Sequence, residues 1–127
     1  MTARVLVIDD EEDLRALLKE ALTDAGYTVA DAATGDEGIA LYRASPADLV
    51  ITDVLMPKKV GLETIMELKR DFPDAKVIAI SGGFNRRTDS DSTLAKTLGV
   101  DRTLSKPFSP ETLLRVVREV LEEQASA

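Results

Sequence analysis

Short apolar runs alternate along the chain with longer segments in which apolar residues recur every three or four positions. The clearest runs are Arg4–Ile8, Leu49–Ile51 and Lys76–Ile80. Their length and their β-branched residues are typical of strands that are buried on both faces of a parallel sheet. Two weaker strands are predicted at Tyr27–Ala32 and Val100–Ser105. The pattern therefore predicts five strands.

The segments between these strands carry helical periodicity. The first predicted helix is anchored between Leu14 and Ala25 and is followed by Gly26, a residue type that commonly ends helices. The others cover 37–44, 61–72, a weak segment within 84–98, and a last helix that opens with Ser109-Pro110. Strict alternation of strands and helices implies a parallel sheet covered by helices on both faces and joined by right-handed crossovers.

Two helical details are also predicted. Thr34, Gly35 and Asp36 have the composition of a turn ahead of the second helix. In the third helix, the apolar stripe is expected to pack in the core, and it consists of Leu62, Ile65, Met66, Leu68 and Phe72.

The composition restricts the chemistry that the chain can perform. With 127 residues, of which 44% are hydrophobic and 31% charged, the chain has the size and balance of one globular domain. The sequence contains no cysteine and no histidine. Disulfides, thiolate metal sites, imidazole bases and phosphohistidine are therefore excluded for these residues.

Charge and hydropathy restrict the partners. A net charge of −7 without a basic stripe argues against direct nucleic-acid binding, which needs clustered positive charge. No apolar run approaches the roughly 20 residues of a membrane helix, and the residues after Met1 lack the apolar region of a signal peptide. We therefore expect a cytoplasmic protein without a membrane contact.

The conspicuous polar residues all follow predicted strands. They are Asp9 and Asp10 after the first strand, Asp53 after the third, Ser81 after the fourth and Lys106 after the fifth. A parallel sheet brings these strand ends to one edge, where open α/β sheets bind ligands. Taken singly, each residue has a simpler explanation: a helix or turn cap for the aspartates, turn chemistry for the serine and a solvated side chain for the lysine. Their occurrence together favours one shared site.

The residue types at this edge suggest a reaction. Three neighbouring carboxylates repel one another unless a cation lies between them, and without histidine or cysteine the ligands must be oxygens, which favours Mg²⁺. A carboxylate beside Mg²⁺ can attack phosphorus, while Lys106 and Ser81 can hold further oxygens. Asp53 is the best nucleophile because its strand is central, whereas Asp9 and Asp10 are better placed to hold metal.

Four short motifs carry a family resemblance. They read IDDEEDLR, ITDVLMP, ISGG and LSKPF, and together they resemble the receiver domain of two-component response regulators over essentially the whole chain. The resemblance implies a flavodoxin-like, doubly wound five-stranded parallel sheet of order 2-1-3-4-5 with five helices. It also implies that residues 1–127 form one receiver domain without an output domain.

The resemblance assigns a role to each site residue. It implies phosphotransfer from a phosphohistidine, on a sensor histidine kinase or a phosphotransfer protein, to Asp53. Asp10 and Asp53 would bind Mg²⁺ directly, Asp9 would do so through water, and the backbone carbonyl of Leu55 would complete the protein ligands.

Ser81 and Lys106 would hold the phosphoryl oxygens, and the Lys106-Pro107 bond would be cis. The protein would catalyse only its own phosphorylation and dephosphorylation, so it is not expected to be an enzyme. Phosphorylation would draw Ser81 toward the new oxygens and switch the binding of a downstream partner through the face formed by helix 4, strand 5 and helix 5. The same face is also the expected contact if the protein forms a homodimer.

The chain departs from the family pattern in the predicted switch. Thr103 stands where an aromatic residue is common, and Val60 stands where an aspartate is frequent. The segment Phe84–Leu98 is longer and more polar than usual. One hypothesis is therefore that phosphorylation is signalled through the Phe84–Leu98 segment instead of through an aromatic residue on the fifth strand.

Other interpretations remain open on sequence alone. A haloacid-dehalogenase-like phosphatase would use Asp9 as nucleophile and Glu11 as acid, although that family has aspartate at the second position. A receiver that acts only as a scaffold would lack a site residue, and none is missing. A single-domain regulator, a phosphoryl shuttle and a fragment of a larger regulator are not separated.

Overall fold

The computed structural model describes residues 2–53, 60–81 and 99–126. Within these ranges strands and helices alternate as the hydrophobic pattern predicts. The elements are β1 (Arg4–Ile8), α1 (Glu12–Asp24), β2 (Thr28–Ala32), α2 (Gly35–Ala44), β3 (Leu49–Asp53), α3 (Val60–Asp71), β4 (Val77–Ser81), β5 (Arg102–Ser105) and a C-terminal helix (Pro110–Ser126).

The five strands form one parallel sheet in the order β2-β1-β3-β4-β5. This confirms the predicted order 2-1-3-4-5 and places β3 at the centre. Four of the five predicted helices lie in the described residues, and the fourth predicted helix, within Phe84–Leu98, lies outside them. In the part of the chain that the structure describes, no helix is both long enough and apolar enough to cross a membrane.

The core lies on both faces of the sheet. Along β3, Leu49 and Ile51 point to one face and Val50 to the other, and all three are fully buried. The first face packs against α1 and the C-terminal helix, and the second against α2 and α3. This two-sided burial is the reason the strand reads as a continuous apolar run rather than as an alternating one.

Local hydrogen bonds set the helix ends. Gly26 has a φ of 103° after α1, and Tyr27 N–H donates to the Leu22 carbonyl at 3.1 Å. This is the Schellman arrangement, in which glycine accepts the left-handed conformation without steric cost. The C-terminal helix begins at Pro110, and Ser109 Oγ accepts the Thr112 N–H at 3.1 Å, as the sequence predicts.

The second helix begins earlier than predicted. The sequence predicts a turn at 34–36 before a helix at 37–44, but α2 starts at Gly35. Thr34 is its N-cap, and its Oγ1 accepts the Glu37 N–H at 3.1 Å. The Glu37 carboxylate in turn accepts the Ala33 N–H at 3.0 Å. These reciprocal bonds satisfy donors at the helix start and extend α2 by two residues.

The prediction that Met66 packs in the core is wrong, since its side chain is 61% exposed. The buried stripe of α3 contains Thr64, Ile65 and Leu68, and Met66 lies about 100° around the helix from Ile65. Leu17 of α1 is likewise 63% exposed. Apolar spacing alone does not define the limits of a helix face.

Candidate functional site

The sheet brings the predicted site positions to one edge. Asp9 directly follows β1, Asp53 is the last residue of β3, Ser81 is the last residue of β4 and Lys106 directly follows β5. All strands are parallel, so these are the carboxyl ends of four strands. The Asp9 N–H also donates to the Ala32 carbonyl at 3.1 Å, which ties the first strand end to the end of β2.

Asp53 and Lys106 form a direct ion pair. Lys106 Nζ donates to Asp53 Oδ2 at 2.8 Å, although 53 residues separate them in sequence. Asp53 is only 4% exposed because β3 is the central strand. Burial lowers the pKa of Lys106, but the hydrogen bond and the charge of Asp53 outweigh it, so the net pKa is raised. The lysine is therefore a cation at neutral pH, and its ammonium group lies directly beside the Asp53 carboxylate.

Asp9 is fully buried beside this pair. Its Oδ1 accepts the Glu11 N–H at 2.8 Å, whereas its Oδ2 has no hydrogen-bond partner among the described residues. Burial raises the pKa of Asp9 to about 6, the Glu11 N–H opposes the rise, and the charge of Asp53 adds to it. The charge of Lys106, in contrast to that of Asp53, lowers the pKa of Asp9. Asp9 therefore interacts electrostatically with both members of the ion pair.

Neither of the first two aspartates caps the following helix. The N-cap of α1 is Glu11, which makes no side-chain capping bond. The alternative in which Asp9 or Asp10 is the N-cap is therefore wrong. The Asp9 side chain instead closes a short turn onto Glu11, and Asp10 is exposed.

The donors present fit a hard cation. Asp9 Oδ2 is a buried carboxylate oxygen near Asp53 that has no hydrogen-bond donor among the described residues, and the raised pKa of Asp9 reflects the cost of its charge there. A divalent cation that prefers oxygen ligands would reduce that cost. Among the residues in 2–53, 60–81 and 99–126, no three acidic side chains are close enough to form a ready metal cluster. Asp10 is the exposed member of the predicted set, and Leu55 lies outside the described residues.

Other predicted positions are only partly described. Ser81 ends β4, but its side chain lies outside the described part, as does the whole of Phe84–Leu98. Thr103 is half-buried in β5 opposite Ala79 of β4. The Lys106-Pro107 bond is cis, as the resemblance implies.

Sequence reasoning missed one residue at this edge. Arg15 of α1 donates from Nη1 to the Asp9 carbonyl at 2.8 Å and from Nε to Asp31 Oδ2 at 3.0 Å. The sequence does contain one indication of this role. Arg15 lies near the N-terminus of α1, where the positive end of the helix dipole disfavours a cation, so its presence there calls for a specific partner.

A scan against protein families matches residues 5–118 to the response regulator receiver domain. Among curated proteins, the transcriptional regulatory protein CpxR of Klebsiella pneumoniae subsp. pneumoniae (strain HS11286) is 35% identical over 118 residues, covering 93% of this chain and 49% of CpxR. The sensor kinase CckA of Brucella abortus (strain 2308) is 35% identical over 128 residues, covering 97% of this chain and 13% of CckA. The chain thus spans about half or less of these relatives.

A solved structure gives the same result for the fold. The CheY-like response regulator receiver domain protein of Methanospirillum hungatei JF-1 superposes with a TM-score of 0.88 at 28% identity, over 99% of this chain and 98% of that one. The comparisons support the receiver interpretation and do not support the haloacid-dehalogenase alternative.

Proposed function

Because the chain belongs to the response regulator receiver domain family, we propose that Asp53 accepts a phosphoryl group from a phosphohistidine on a sensor histidine kinase or a histidine phosphotransfer protein. The observation that carries this proposal is the 2.8 Å ion pair between Lys106 and the buried Asp53, at the sheet edge where Asp9 is also buried. A carboxylate at this position lies at the end of the central strand and is already paired with a cation.

In the proposed reaction, an oxygen of Asp53 attacks phosphorus while the bond between phosphorus and the imidazole nitrogen breaks. The electron pair of that bond leaves with the imidazole, and the product is an acyl phosphate on Asp53. No general base is required, because the attacking carboxylate carries no proton. Lys106 already contacts Asp53, so a small movement of its side chain brings the ammonium group to the phosphoryl oxygens, where its positive charge stabilises them. We propose that the Ser81 hydroxyl holds another of these oxygens.

The proposed cofactor is Mg²⁺, which receiver domains generally bind. In this chain Asp10, Asp53 and the Leu55 carbonyl would hold it directly and Asp9 would do so through water. When bound, the cation supplies positive charge that reduces the repulsion between the carboxylates and the incoming phosphoryl group. Asp9 Oδ2, buried without a partner in the described residues, supports this assignment.

The remaining steps are proposed from family membership. The chain would catalyse only its own phosphorylation and dephosphorylation, in the cytoplasm, and would switch a downstream partner through the helix 4, strand 5 and helix 5 face. In the described part of this face, Arg102 Nη1 of β5 donates to Glu119 Oε1 of the C-terminal helix at 2.9 Å. The same face is the proposed contact if the protein forms a homodimer.

Intact-mass measurement after treatment with acetyl phosphate tests the proposed function. The parent protein is expected to gain one phosphoryl group when Mg²⁺ is present and none when the cation is chelated. Asp53→Asn is expected to gain none. The matched control is Asp48→Asn, because Asp48 lies next to the opposite end of the same strand, where its Oδ2 accepts the Arg4 N–H at 2.8 Å. Parental labelling of Asp53→Asn would refute the proposal.

A further inference from the structure

Arg15 connects two strand ends at the site edge. Its guanidinium donates to the Asp9 carbonyl from Nη1 at 2.8 Å and to Asp31 Oδ2 from Nε at 3.0 Å. The Arg15 side chain is 17% exposed and that of Asp31 is 29% exposed. One rigid, largely buried guanidinium therefore donates to both acceptors at once. A lysine ammonium cannot replace arginine in this geometry, because it lacks the planar arrangement of N–H donors.

We propose that Arg15 is a positioning residue that sets the divalent-cation affinity of the site by fixing the main chain of Asp9. This inference rests on the proposed function, in which Asp9 helps to hold Mg²⁺.

The bonds around Asp9 support this role. Its N–H donates to the Ala32 carbonyl, its Oδ1 accepts the Glu11 N–H, and its carbonyl accepts from Arg15. Only Oδ2 has no hydrogen-bond partner in the described part of the chain. Arg15 thus completes a set of bonds that fixes the residue in one orientation and leaves one carboxylate oxygen for another ligand. Groups that orient a metal-holding residue in this way affect metal affinity without touching the metal.

Charge and positioning predict opposite results when Arg15 is removed. Arg15 is a cation close to a site that is proposed to bind a cation. If only its charge mattered, then removing it would tighten Mg²⁺ binding, since a repulsion would be lost. If it fixes Asp9, then removing it weakens Mg²⁺ binding. The sign of the change in affinity therefore separates the two explanations.

Lys19 is the matched control. It lies four residues after Arg15 on α1, and its Nζ contacts the other carboxylate oxygen of Asp31 at 3.3 Å. Its side chain is 51% exposed, and its hydrogen bond in the described part of the chain goes to Asp31. Replacing Lys19 by glutamine removes the same charge from the same aspartate while the bond to the Asp9 carbonyl stays.

Calorimetric titration with Mg²⁺ tests the inference on the full chain. Arg15→Gln is expected to raise the dissociation constant about tenfold, in the range seen when outer-shell partners of metal ligands are removed. Lys19→Gln is expected to stay within about twofold of the parent, because an exposed charge is screened by salt. Equal dissociation constants in the two variants, or tighter binding by Arg15→Gln, would overturn the inference. An absence of Mg²⁺ binding by the parent would overturn the proposed function as well.

A second measurement needs no metal. The Glu11 N–H is held by Asp9 Oδ1, so loosening Asp9 is expected to speed its hydrogen exchange about tenfold in Arg15→Gln and less than about twofold in Lys19→Gln. If Arg15→Gln does not fold, then the charge-conserving pair Arg15→Lys and Lys19→Arg replaces it. Arg15→Lys loses the planar fork and is expected to bind Mg²⁺ several-fold more weakly than Lys19→Arg. Matching affinities in that pair would refute the positioning role.

Discussion

Neutralising Asp9 is expected to stabilise the metal-free protein at neutral pH. Asp9 is 0% exposed, its Oδ2 has no partner among the described residues, and burial raises its pKa from 3.8 to about 6. The shift is about two pKa units, and each unit corresponds to about 1.4 kcal/mol. The ionised carboxylate therefore costs the folded state about 3 kcal/mol. Asp9→Asn keeps the acceptor for the Glu11 N–H and removes this cost.

The pH dependence follows from the direction of the shift. Between about pH 4 and pH 6 the folded protein holds a proton on Asp9 that the unfolded chain has released, so the free energy of unfolding decreases as the pH rises. Above about pH 6 the full cost is present. Asp9→Asn lacks this titration. The amount by which its free energy of unfolding exceeds that of the parent is expected to grow by about 2 to 3 kcal/mol between pH 4 and pH 7.5.

Urea unfolding followed by far-ultraviolet circular dichroism measures this difference, since the chain has no tryptophan. All samples contain a chelator, and equal m-values in parent and variant validate the comparison. Asp10→Asn is the control, because Asp10 is exposed and the substitution makes the same charge change one residue away. Asp10→Asn leaves the buried Asp9 carboxylate in place, so this variant is expected to keep most of the parent's decrease in the free energy of unfolding between about pH 4 and pH 6. A difference between Asp9→Asn and the parent that does not change with pH would refute the argument that the buried charge of Asp9 destabilises the folded state.

Three further substitutions test separate parts of the account. Lys106→Met removes the ammonium from the acceptor carboxylate, so labelling by acetyl phosphate in a fixed time is expected to fall at least about tenfold; an unchanged mass profile would contradict this. In Gly38→Ala the new Cβ would clash with Ile8 Cδ1 and lie 2.6 Å from Ile8 Cγ1, so urea unfolding should show a decrease of about 1 to 2 kcal/mol in the free energy of unfolding. That decrease should be smaller in an Ile8→Val background, which removes Cδ1, and an undiminished decrease would argue against the clash. Thr34→Ala removes the acceptor for the Glu37 N–H and is expected to lower the free energy of unfolding by about 1 kcal/mol, whereas Thr34→Ser keeps the hydroxyl and should change it little. Equal stabilities of the alanine and serine variants would count against the capping role of Thr34.

The sequence specifies most of the fold because the strands are buried on both faces. Val50 and Ile51 face opposite layers, so the strand needs apolar residues at every position, and this gives a signal that periodicity detects. Alternation of elements then fixes a parallel sheet. The strand order was obtained only from the family resemblance, because periodicity carries no information about which strands are neighbours.

The site was predictable as a set of strand ends but not as a set of contacts. Placing Asp53 and Lys106 at one edge requires only the parallel sheet, and their 2.8 Å contact is consistent with that placement. The burial of Asp9 and the exposure of Asp10 depend on how the turn after β1 closes onto Glu11. Arg15 was missed for a similar reason, because its role depends on a bond to a backbone carbonyl, which no residue pattern records.

The central claim is that Asp53, and no other carboxylate, carries the phosphoryl group. Borohydride reduction after acetyl phosphate treatment converts an aspartyl phosphate to homoserine, so peptide mapping reads the position of the label directly. We predict homoserine at position 53, dependent on Mg²⁺, with Asp9 and Asp10 unmodified. Homoserine at position 9 or 10, with Asp53 intact, would contradict the account.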